Sequence, residues 1–345
     1  MSTSVVSRAS RFAPVSAIGV LVASLALGGA LFAIGGVGPL MGFRALVEGA
    51  FGSGPVVGET LIRATPVAIV AIGLIPSLKA GLFNIGSPGQ IGMGGLLSTM
   101  VSLHVGTLPS PVAWTLAAAA GIAGGALWVV IPALLRARLG INEILTTLVF
   151  NFLALYLLGY LLSGPLQGAS ANLAQSESIP ASAELSILIP DSRAHIAILL
   201  ALLITVGMVA YLKTASGYRL ELFGANKELA RHGGVHESRI TLTTMLVGGG
   251  AAGLAGWAQV AGVDHRLYAT VADPVGYYGF FAAILGLLLP VVVLVAAFGI
   301  GALLQGGGSL QIGVGVAPEI IEALIGLVLF LVAVRSSFTP LRKGR

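Results

Sequence analysis

The fold class this sequence predicts is an all-α, polytopic membrane helical bundle, and three observations predict it. Charged residues make up 9% of the 345-residue chain and apolar residues 56%, against roughly 25% and 45–50% in a soluble domain. Mean hydropathy is +0.99. Apolar runs bounded by charge or by Pro/Gly clusters recur along the whole chain, and at about 1.5 Å per residue most are long enough to cross a hydrocarbon core of roughly 30 Å.

The runs fall near 15–37, 59–78, 86–103, 111–135, 141–162, 194–212, 240–260, 276–288, 290–304 and 318–334, about ten transmembrane segments in one domain over 1–345. The first follows Arg8 and Arg11 and is longer than the 7–15 residues of a signal-peptide core, so it reads as a retained span. The stretch 276–304 is apolar almost throughout, with Pro290 at its middle, and reads as one long helix or two short ones. Charge separates the two. With two crossings there and the N-terminus inside, Arg8, Arg11, Lys79, Arg136, Arg138, Lys213, Arg219, Lys227, Arg231, Arg239, Arg335, Arg342, Lys343 and Arg345 are cytoplasmic, and only Arg44, Arg63, Arg193 and Arg266 are external. That is the sense of the positive-inside rule. The expectation is N-in/C-in, with two short or broken helices of about 14 residues around Pro290.

This parity makes 1–14 a cytoplasmic N-terminus, 163–193 an external loop, 213–239 a cytoplasmic loop and 335–345 a cytoplasmic tail. The Ser/Ala/Pro-rich external loop reads as a mobile connector or as a docking surface. The cytoplasmic loop carries a helix code: Asn226 as N-cap, Glu228 in the first turn, Arg231 in the last, and Gly233 and Gly234 as the stop. A helix of about two turns is marginal alone, so it must pack on something. By charge alone, contact with anionic lipid heads is the commoner role.

The most informative break is GLFNIGSPGQIGMGG at 81–95, polar and kinked between apolar runs. Hydrocarbon offers no partner to a freed N–H or C=O, so such backbone survives only inside protein or along a wet cavity. Pro88 falls where a first helical turn tolerates it. Lys79 puts the break near the inner face, closer to a gate than to a midplane pocket. Candidates for a path or gate are the polar residues within apolar runs: Asn84, Gln90, Asn142, Glu143, Asn151 and Gln259. Their amides suit the hydroxyls and ring edges of a neutral solute. They equally suit bonds between helices, and Glu143 suits a cytoplasmic interface. Glycines at 121, 124, 125, 248–250, 253 and 256 allow close helix approach.

Several functions are excluded or disfavoured. The chain has no cysteine, hence no disulfide or thiolate metal site. No Gly-Lys pair exists, so there is no G-x-x-x-x-G-K loop for ATP. His232 and His236 have zinc-like spacing, but two glycines between them spoil the helix. Basic residues at membrane flanks argue against nucleic-acid binding. An ion-coupled carrier is the second reading, disfavoured because its acidic relays belong inside spans and the acids here sit at span ends and in loops.

The blocks GLFNIGSPGQIGMGG, INEILTTLVFNFLALYL at 141–157 and GYRLELFGANKELARHGGV at 217–235 resemble the permease subunits of bacterial ABC importers for nucleosides and simple sugars. The tail GYYGFFAAILGLLLP with Gln305, Gly306 and Gly307 fits the same pattern, and the likeness runs from about 55 to 335. The FNIG-x-x-GQ block is most similar to the nucleoside-type branch. The resemblance implies an inner-membrane permease that binds no cofactor, with ATP and Mg held by a partner ATP-binding subunit. It also implies a second permease chain, identical or different, and an external solute-binding protein or lipoprotein. Residues Gly224, Asn226, Glu228, Ala230, Arg231, Gly233 and Gly234 match the segment that docks on the ATPase. Two departures stand out: Pro88, where the family commonly has Glu or Ala, and His232 before Gly233 and Gly234.

Overall fold

The computed structural model describes residues 17–169, 173–272 and 274–338; Arg8, Arg11, Arg342, Lys343 and Arg345 lie outside them. Those residues form thirteen α-helices and no strand, only isolated bridges. In order they are α1 (Ala17–Ile34), α2 (Pro39–Phe51), α3 (Gly54–Lys79), α4 (Ser87–Ser102), α5 (Ser110–Leu139), α6 (Glu143–Leu162), α7 (Ala197–Leu212), α8 (Ala215–Ala225), α9 (Lys227–His232), α10 (Glu237–Gln259), α11 (Val275–Leu285), α12 (Pro290–Val314) and α13 (Pro318–Phe338). Five are long and apolar enough to cross a membrane, or up to seven spans if each bent pair counts as one.

The chain divides into two units, Ser53–Ala302 and a smaller one made of the residues up to Gly52 with those from Leu303. In the smaller unit α1 packs on α13, with Gly28 facing Leu324 and Gly35 facing Ile320. Gly36, at φ +77°, breaks the chain after α1, and α2 leaves at 104°. Phe32 is fully buried there, edge-on to Phe43 at 5.2 Å, and fills the space that glycine leaves at position 42.

The axis of the larger unit is α3, which is apolar on every side between Arg63 and Lys79 and therefore buried on every side. Around it pack α10, α11 and α7, and α10 in turn packs on α4 and α5. The glycine clusters allow the approach of α10 to α5. A Cβ on Gly125 would collide with the Gly249 carbonyl, and one on Gly253 with the Gly121 carbonyl, so the two backbones touch directly. With no hydrophobic force between helices in lipid, such close van der Waals packing is what joins them.

The stretch 276–304 does break beside Pro290, but its halves differ. α11 has 11 residues, whereas α12 has 25 and can cross alone, which corrects the expectation of two short helices. Its C-terminal glycines do not stop it: Gly306 and Gly307 lie against Leu46 and Ile321, so packing overrides their weak propensity. The break itself carries Leu287 and Leu288 at φ +53° and +56°, a left-handed backbone that bulky residues rarely adopt.

The 163–193 loop is laid along the segment after α10 rather than strung as a bare connector. Ser176, Ile179 and Leu185 donate backbone N–H bonds to Leu267, His265 and Ala261 at 2.8–3.0 Å. Trp114 donates to the Glu184 carbonyl at 2.9 Å. The chain makes a π-turn over Val260–Asp264, where Gly262 leaves room for the buried ring of His195. Burial, with His265 adding repulsion, pushes the His195 imidazole down to about 4. Its Nδ1 has no partner.

Candidate functional site

The polar break begins where α3 ends. Gly81, at φ +72°, reverses the chain, and Leu82 N–H returns to the Ser77 carbonyl at 2.9 Å. Residues 82–86 are then irregular until α4 starts with Pro88 in its first turn. Gly276 of α11 presses on the Pro88 ring.

Irregular backbone leaves orphan groups, and each one named here is met by a side chain. Asn84 and Gln90, both essentially inaccessible, form a reciprocal amide pair at 3.2 and 2.9 Å. The same Asn84 Oδ1 accepts the Gly86 N–H at 3.0 Å. From α6, Asn151 accepts the Gly89 N–H at 3.0 Å and donates to the Ile85 carbonyl at 2.9 Å. Glu143 accepts the Phe83 N–H at 3.3 Å and pairs with Arg136 at 3.2 Å. Four of the six sequence candidates thus converge on one stretch of backbone, and these contacts engage them within the protein.

The other two lie elsewhere. Asn142 is exposed and caps α6, accepting the Ile144 N–H at 2.9 Å. Gln259 is at the far end of α10, about 33 Å along the helix from Glu237, and donates to Asp264 at 3.2 Å. Sequence reading missed Ser87, which sits in the first turn of α4 with its hydroxyl buried and unpartnered. A lone serine in a polar break carries no signal that would single it out.

The 213–239 loop is more helical than its polarity suggested. α8, which the polar sequence pattern does not announce, opens on a Thr214 cap at 3.3 Å. Asn226 then ends α8 and caps α9, accepting the Leu229 N–H at 3.0 Å. Glu228 is in the first turn and Arg231 in the last. Gly233 ends α9, Gly234 takes φ +76°, and Val235 N–H returns to the Ala230 carbonyl at 3.0 Å.

What holds this hairpin is an apolar cluster. Leu220, Phe223, Ala230 and Val235 bury themselves against Ala80 and Leu82, the residues that lead into the break. Gly224 lies so close to the Lys79 carbonyl that a Cβ there would collide with it. Lys79 also pairs with Glu221 at 2.7 Å, Lys227 pairs with Glu237 at 3.3 Å, and Arg231 pairs with the same Glu237. The outer face keeps Tyr218 and Leu229 exposed. A surface hairpin therefore packs on an apolar anchor, Ala80 and Leu82, that leads directly into the polar break.

Residues 56–333 match the family model described as the branched-chain amino acid transport system / permease component. The chain belongs to that family. The permease is 33% identical to the glucose ABC transporter permease protein TsgB13 of Haloferax volcanii, over 94% of this chain and 88% of that one. It is 31% identical to the guanosine ABC transporter permease protein NupP of Bacillus subtilis, over 91% of both. It is 29% identical to the nucleoside ABC transporter permease protein NupB of Lactococcus lactis, over 91% and 89%. No solved structure matches. The permease is thus a multi-pass ABC transport subunit of the sugar and nucleoside type, without an ATPase site of its own.

Proposed function

We propose that this permease carries a small neutral solute, a nucleoside ahead of a simple sugar, inward across the bacterial inner membrane by alternating access. The observation that carries the reading is the continuity of α8–α9, Ala80 and Leu82, and the break at 82–90. α8 and α9 are the dock for an ATP-binding subunit, with Gly224, Asn226, Glu228, Ala230, Arg231, Gly233 and Gly234 shaping it. The break is an inner gate, which Asn84, Gln90, Asn151 and Glu143 hold shut. Asn142 and Gln259 serve its flanks, one as a cap at the inner edge and one near the outer mouth.

The proposed topology is ten crossings with both termini inside. In its support, Lys79, Arg136, Arg138, Lys213, Arg219, Lys227, Arg231 and Arg239 share the hairpin end of the larger unit, the sense of the positive-inside rule. A second permease chain, identical or different, completes the path, an external binding protein delivers solute, and ATP and Mg sit in the ATP-binding partner. Family membership displaces the ion-coupled carrier. The nucleoside reading draws on the FNIG-x-x-GQ block and on two relatives named for guanosine and nucleoside. The glucose-named relative favours the sugar. Uptake of labelled guanosine and labelled glucose by a deletion strain, with and without the restored gene, separates them. Restoration of guanosine uptake alone is expected, and restoration of glucose uptake alone overturns the assignment.

A further inference from the structure

The larger unit also holds a concavity that none of the break residues 82–90 lines. It is a groove of about 410 Å³ between α7, α8 and α10, floored by Pro76 of α3. At one end two guanidinium groups, Arg219 and Arg239, line it. The other end is apolar. Arg239, Thr243 and Val247 follow one another a turn apart on α10, so the groove runs roughly 12 Å from its charged end. Met208 lines it from α7 and is itself buried, whereas Val247 is 48% exposed, so the flank opens on its α10 side.

The charge at the rim is not neutralised. No Asp or Glu lines the groove. The neighbouring acids are engaged elsewhere, Glu221 with Lys79, and Glu237 with Lys227 and Arg231. Among the described residues, neither Arg219 nor Arg239 has an ion-pair partner. Two guanidinium groups, one on α8 and one in the first turn of α10, beside an apolar flank, complement one kind of molecule: a phosphate ester with hydrocarbon attached. A soluble anion uses the arginines and wastes the flank; a neutral lipid does the reverse.

We propose that this groove holds an anionic phospholipid, with its phosphodiester on Arg219 and Arg239 and its first acyl carbons along Met208 and Val247. Guanidinium forks bind such oxygens in bidentate fashion, and basic residues at this depth favour anionic headgroups. The groove shares α8 and Gly234 with the proposed dock, but the inference rests on neither the solute nor the docking.

The test is native mass spectrometry of the full-length permease in detergent, titrated with phosphatidylglycerol, phosphatidylcholine or inorganic phosphate. Saturable binding of phosphatidylglycerol is expected, undiminished by phosphate, and weakened roughly thirtyfold by R219Q/R239Q, the loss of two surface charges. R138Q/K213Q removes as much charge from the same end and is expected to leave binding unchanged. R219K/R239K, which keeps the charge, is expected to retain most of it and covers the case in which the glutamine variant misfolds. Equal binding of phosphatidylcholine overturns the proposal, as does full displacement by phosphate, which makes the site one for a free anion. Undiminished lipid binding by a folded R219Q/R239Q overturns it too.

Discussion

Asn151 serves two backbone groups at once, accepting from Gly89 N–H and donating to the Ile85 carbonyl. Removing it orphans both where water is scarce, at about 1–3 kcal/mol per group. Asn151→Ala is therefore expected to lower the thermal midpoint of the purified permease markedly. Equal midpoints for wild type and alanine variant would remove Asn151 from the gate. His195 gives a pH signature at the other end of the unit. Its folded value of about 4 lies below the ordinary 6.5, so the unfolded chain binds the extra proton. Stability from this group is complete above pH 6.5 and falls as pH drops toward 4, by about 3 kcal/mol. Unfolding measured across that window is expected to show the slope in wild type and to flatten in His195→Gln. At this scale the sequence revealed which residues are polar within apolar runs, and four of the six do converge. It did not reveal that their partners are mostly backbone groups, because a bond from Asn151 to Gly89 spans 62 positions.

At the scale of elements, the α8–α9 hairpin depends on one absent side chain. Gly224 lets α8 rest on the last carbonyl of α3. Gly224→Val is expected to lift the hairpin off Ala80 and Leu82 and abolish ATP-driven uptake, while membrane insertion, read by fractionation, stays normal. Uptake equal to wild type would detach the hairpin from the gate. The helices the sequence foretold are those with long apolar runs. α2 and α8 escaped because PLMGFRALVEGAF and ASGYRLELFGA are short, charged and glycine-containing, and their stability comes from packing rather than from pattern. The end of α12 was misplaced for the complementary reason: Gly306 and Gly307, just past the apolar run, are contact points. The caps of α9 were legible throughout, since capping is local chemistry between residues three or four apart.

At the scale of the molecule, the larger unit is held by backbone touching backbone. Gly253 meets Gly121 and Gly125 in this way, and Gly73 takes the Ala251 methyl, so α10 is set against α5 and α3 with no room for adjustment. Gly253→Leu is expected to cost more than a typical surface change, whose effect stays within about 0.5 kcal/mol. A sharp fall in the amount of folded permease by size-exclusion chromatography would register it, and an unchanged profile would mean that the helices can slide apart freely. Glycine spacing announced these contacts without saying which helix meets which. The break at 82–90 has a different consequence. Its closure is distributed over α4, α6 and the chain itself, so no single thermal fluctuation undoes it. In the proposed gate, that makes opening an all-or-none event with a threshold. An idle transporter of this kind does not leak, and a cell can keep many copies in its membrane without draining what it has accumulated.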